Sequence, residues 1–177
     1  MSKTPDIDFV SDYTRPNNHN LLTTNYFKMV ISRAPAFGYF VKATALPQIS
    51  MPELVQPTTL STNVPLPGNQ YDFAPLQIEF LLDENLRGWK EIYDWIYSIG
   101  NYENDTSIIK YHDRFSDITL QITNSAYVPK FEVVFKNAFP ISLSSIPFSV
   151  AQADNVPLSA TATFRFAYYK FNSLTSV

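Results

Sequence analysis

The sequence predicts a mainly β, antiparallel domain, a barrel or sandwich with one flanking α-helix and a long proline-rich arm. Three observations carry that expectation. The 14 Phe, 11 Tyr and 2 Trp suit pleated, half-buried surfaces, whereas only 4 Gly and scattered Ala argue against a helical bundle. Runs of alternating apolar and polar residues recur along the chain, and the period lengthens to three or four in one place only. Between Ala45 and Leu76 the chain carries Pro47, Pro52, Pro57, Pro65, Pro67 and Pro75. Each lacks the N–H that a ladder needs, so they cannot all lie inside a paired sheet.

A chain of 177 residues is most simply one domain with a large core. Residues 1–20, rich in Asp and Asn with Pro16, read as an extended arm, and 21–177 as the β domain. NYFKMVISR places Phe27, Met29 and Ile31 on one face, the period of a half-buried strand. A turn around Ala34-Pro35 with Gly38 then leads into FGYFVKATALP, and the two runs are expected to form a hairpin. The arm from 47 to 75 interleaves its prolines with Leu54, Val55, Leu60, Val64 and Leu66. These side chains need a cover, either their own domain or a neighbour.

LQIEFLL is the third strand, with Leu76, Ile78, Phe80 and Leu82 alternating. After Asp83 the spacing changes, and 84–99 reads as an amphipathic helix that buries Leu86, Trp89, Tyr93 and Ile96 and presents Arg87, Lys90, Glu91 and Asp94 outward. Asp83 or Asn85 is suited to cap its start, and Gly100 to a left-handed position past its end. Beyond a polar loop come IIKYHDR, DITLQIT and KFEVVFKN. A final run, SATATFRFAYYKF, puts Ala160, Ala162, Phe164, Phe166 and Tyr168 on one side. No repeat of fixed period is visible.

Composition and motif content exclude most chemistry. A net charge of −3 gives no basic field to hold a nucleic acid, although it does not prevent one from passing. The absence of cysteine removes disulfides, thiolate metal sites and Cys nucleophiles. No segment has the length and apolarity of a membrane span or a signal peptide, and no phosphate loop, nucleophile elbow, zinc or calcium pattern appears. His19 and His112 lie far apart. His112 and Asp113 would point to opposite faces of a strand, which is poor geometry for a base and its orienter. Asp72, Asp83 and Glu84 make no better acid–base pair, since capping accounts for Asp83. The expectation is therefore no enzyme, no cofactor and no metal.

The order of these pieces resembles the tail tube proteins of T-even-like contractile-tailed bacteriophages over most of residues 20–171. The elements that carry the resemblance are KATALP at 42–47, Asp83-Glu84 before a helix with Trp89 and Asp94-Trp95, and Phe139-Pro140 before the last strand. It implies a subunit of the virion tail tube, assembled in the host cytoplasm. Six copies would form a ring, rings would stack inside a contractile sheath, and the genome would pass through the lumen without specific binding. Partners would be the chain itself, the sheath, and baseplate and neck proteins, with no membrane. On that reading Leu54, Val55, Leu60, Val64 and Leu66 belong to an inter-subunit arm, and Arg87, Lys90, Glu91 and Asp94 to a sheath-facing surface. Gln77, Glu79, Thr161 and Thr163, the non-core positions of their strands, line the lumen. The longer N-terminal arm and the proline-rich segment depart from the family pattern and leave open a second role, tube initiator or terminator. A carbohydrate-binding β-module is the alternative of another class.

Overall fold

One 15-residue strand ties the molecule together. The computed structural model describes residues 27–57, 62–100, 114–124, 127–148 and 157–174. In chain order the elements are β1 (Phe27–Ile31), α1 (Pro35–Tyr39), β2 (Val41–Thr44), β3 (Ile49–Ser50), β4 (Glu53–Gln56), β5 (Val64–Pro67), β6 (Asp72–Phe73) and β7 (Leu76–Leu81). They are followed by α2 (Arg87–Gly100), β8 (Ser116–Thr123), β9 (Pro129–Leu143), β10 (Ser159–Arg165) and β11 (Tyr168–Ser173). All pairings are antiparallel, and the main sheet runs β1-β8-β9-β10-β7-β2 with β11 also on β9.

The long strand β9 belongs to two layers. Its first part pairs with β8 and β11, and the part from Phe139 to Leu143 pairs with β10. At the change-over Asn137 has φ 54, a left-handed conformation that Asn tolerates better than most residues. The Asp117 carboxylate accepts the Asn137 N–H at 3.2 Å and pairs with Lys136 Nζ, which fixes the bend from the neighbouring strand. The result is a sandwich-like arrangement, β1-β8-β9-β11 against β9-β10-β7-β2, and not a closed barrel.

The core follows the alternation in the sequence. Met29, Ile31, Leu76, Ile78, Phe80, Ile118, Leu120, Val133, Phe135, Ala160, Ala162 and Phe164 are all buried. The final run departs from expectation because it is two strands. Ala167 N–H donates to Lys136 O as the chain passes from β10 to β11, and the alternation slips there. Tyr168 is consequently exposed, and Tyr169 packs instead on Phe73, Phe135 and Phe166.

The expected hairpin of the first two strands does not form. Pro35 starts a five-residue helix, α1, which carries the chain from β1, paired with β8, across to β2, paired with β7. Its Phe37 is fully buried against Phe80 and Phe164. The second helix, α2, starts at Arg87 and is rotated relative to expectation. Gly88, Ile92 and Trp95 are its buried residues, Trp89 is half-buried, and Tyr93 is 47 % exposed. The cause is Gly88. A Cβ there would lie 3.2 Å from Phe37 Cα, so the two helices touch backbone to side-chain-free backbone. Gly100 is the last helical residue, and no described glycine has positive φ. Gly88→Ala is expected to lower stability although alanine favours helix by about 1 kcal/mol, because Phe37 has no room to retreat. A higher melting temperature for this variant would refute the contact.

Candidate assembly surfaces

The arm is an exposed hairpin. Glu53, Leu54, Val55 and Gln56 of β4 pair with Pro67, Leu66, Pro65 and Val64 of β5, and every one of these residues is exposed, Leu54 by 61 %. Two prolines within a ladder are tolerated for a geometric reason. Gly68 N–H donates to Pro52 O at 2.9 Å, so even-numbered positions of β5 face β4 and Pro65 and Pro67 turn their missing donors to the open edge. Proline there also denies that edge to stray strands. Leu60 of the expected arm set lies outside the described residues, as do residues 1–20, His19, His112 and Asp113. The base of the arm is tied down by β3 pairing with β6, by Ala74 N–H to Gln48 O, and by Arg165 donating to Phe73 O.

The four residues expected to line a lumen come together on one face. Thr161 lies directly across from Glu79, and Thr163 directly across from Gln77, on the solvent side of β7 and β10. Ser142, opposite Thr163, extends the same polar surface onto β9. Sequence reasoning missed the cation that joins them. Lys42 on β2 reaches Glu79 Oε1 at 2.7 Å, so the charges cancel locally. The hydrogen bond from Lys42, with a second from Ser159, holds the Glu79 carboxyl below the usual carboxylate range. The ionised form is thus favoured in the folded chain. This stabilisation is present above the ordinary carboxylate pKa and is lost as the pH falls through the lowered one. At this solvent-exposed pair the effect is small.

On α2 the outward set divides. Arg87, Lys90 and Asp94 are exposed, as expected. Glu91 is half-buried, because its carboxylate accepts the Phe37 N–H at 3.1 Å and supplies α1 with the cap its own sequence lacks. On the other flank of α2 an unexpected feature appears. Trp89, Tyr93 and Tyr97, spaced by four, stack with centroid separations of 5.4 and 6.1 Å and interplanar angles of 12° and 15°. Trp89 Nε1 points to Ser144 O at 3.4 Å, which sets this ladder beside the end of β9. A groove of about 460 Å³ opens between β1, α1 and the start of β2.

Among the described residues no group of His, Cys, Asp and Glu is placed to hold a metal ion. Residues 9–172 match the family model described as phage tail tube protein. The chain belongs to the phage tail tube protein family. The tail tube terminator protein of Enterobacteria phage T4 is 25 % identical over 160 residues, covering 84 % of this chain and 86 % of that protein. Among solved structures, the tube-terminating cap of the anti-feeding prophage superposes with a TM-score of 0.66 at 16 % identity, over 93 % of this chain and 99 % of that one. A chain of the sheath–tube complex of an extracellular contractile injection system, PVC, gives 0.65 at 19 % identity, over 88 % and 94 %. These similarities confirm the fold, and membership of the tube family makes the chain a structural component of a phage tail, not an enzyme.

Proposed function

We propose that this tail tube family member ends the tube of a contractile tail, as a terminator ring, and does not repeat along its length. The similarity to the T4 terminator carries this reading, and the similarity to a tube-terminating cap supports it. The sheet suggests how a ring closes. The layer β9-β10-β7-β2 has two free margins among the described residues, β2 at one end and Phe139–Leu143 of β9 at the other. Joining copies margin to margin removes both exposed edges. Six copies in a closed ring would turn Gln77, Glu79, Thr161 and Thr163 to the lumen and leave α2 outside. There Arg87, Lys90 and Asp94 face the sheath or a neck protein. The β4–β5 hairpin would rest on the adjoining ring, with assembly in the host cytoplasm and the genome passing through.

A lumen of this kind works by not binding. Each cation that pairs with a phosphate adds affinity through counterion release, and on this face the Lys42 charge is already paired with Glu79. Glu79→Lys with Thr163→Lys is expected to leave particles intact and slow genome ejection at low salt; unchanged ejection would remove this face from the lumen. The role itself is tested by counting copies per virion with quantitative mass spectrometry. A single ring's worth supports the terminator. Many rings' worth would favour the repeating subunit, the reading suggested by the injection-system similarity.

A further inference from the structure

The aromatic ladder lies beside the end of β9 and the apolar groove beside β1, α1 and the start of β2, and we infer that they are the two halves of one contact between neighbouring copies in the ring. This inference rests on the ring reading above and specifies where its adhesion lies. The ladder borders Ser144 and the free part of β9. The groove is lined mainly by β1, with Phe27, Met29 and Val30, and by Pro35 and Tyr39 of α1, and it reaches the start of β2, the other free margin, at Val41. Pairing those margins brings the ladder of one copy against the groove of the next in the same step. The contact is heterologous, and repetition of a heterologous contact closes a ring when the rotation allows it.

Area demands something of this kind. A stable interface removes about 800 Å² from each partner, more than one short strand edge supplies. An aromatic side chain covers about 150–250 Å² when fully buried, so half-exposed Tyr93 and Tyr97 with part of Trp89 add roughly 300 Å². On the receiving side Tyr39 is 83 % exposed and Val30 41 %, apolar surface that the monomer leaves bare. The three stacked rings also hold one another in a fixed row, so little side-chain freedom remains to be lost on docking.

The chain has no cysteine, so cross-linking reports single positions. Tyr39→Cys and Tyr93→Cys proteins, mixed and treated with a short bismaleimide under conditions where rings are seen by negative stain, are expected to give the mixed dimer at least ten-fold above either homodimer. The double variant in one chain should give a series of bands ending at the closed ring. In parallel, Tyr93→Ala with Tyr97→Ala should keep the parental melting temperature and require at least ten-fold more protein to form rings, with Phe at both positions restoring them. Rings that form without the mixed cross-link, or an alanine pair that assembles like the parent, would overturn the ladder-and-groove contact and leave the terminator reading standing. Absence of rings from the parent protein at any concentration would overturn both.

Discussion

Trp95→Ala is expected to destabilise the domain by about 3–5 kcal/mol, whereas Trp89→Ala, six residues earlier on the same helix, should cost only about 1–2. Trp95 is 2 % exposed, packs on Phe164 at 6.0 Å, donates its indole N–H to Arg114 O at 3.0 Å and lies under the Arg33 guanidinium at 5.2 Å. Truncation would remove all of these and leave a cavity between α2 and the sheet. Trp89 is half-buried and loses mainly its stack on Tyr93. Urea unfolding of both variants, with unchanged slope, separates the two outcomes. If Trp89→Ala were the more damaging, the helix would be rotated by about a third of a turn from the arrangement described.

Excising the β4–β5 hairpin should have the opposite character, with no large loss of stability and a complete loss of incorporation into particles. The closing point already exists, since Pro52 O and Gly68 N meet at 2.9 Å, and a short Gly-Ser link between them replaces residues 53–67 without moving the base strands. No residue of β4 or β5 is buried, so stability is expected to stay within about 1 kcal/mol of the parent. Particle assembly in cells that supply the remaining tail proteins is the measurement. Normal incorporation would show that the arm is not an assembly element; an unfolded product would show that it shields its own core.

What could be read from the sequence was whatever period alone decides. Strands β7, β8 and β10 bury Ile78, Leu120 and Ala162 as their alternation requires, and cross-strand register then brought Gln77, Glu79, Thr161 and Thr163 onto one face. The turn of α2 was not legible, because Leu86-Trp89-Tyr93-Ile96 and Gly88-Ile92-Trp95-Ile99 are both spaced by three and four. The choice between them depends on Gly88, and a hydrophobic pattern does not register a residue without a side chain. The hairpin predicted for β1 and β2 failed similarly. Pro35 is as good a first residue of a helix as it is a turn residue, and only the distant partners β8 and β7 distinguish the two. Lys42 was missed as the partner of Glu79 because the irregular β2–β7 register is not encoded in either strand.

The pairing of β1 with β8 has a consequence for the order of events during synthesis. Phe27 finds Ile122 95 residues further on, and Phe164 of β10 closes onto Leu76 across a similar stretch. Closing such distant contacts costs loop entropy before any packing returns it, so folding is expected to be slow and to wait for nearly the whole chain to leave the ribosome. The β4–β5 ladder joins residues only eight to fourteen apart. The earliest strand pairing able to form on the ribosome is therefore the one that the finished monomer leaves bare.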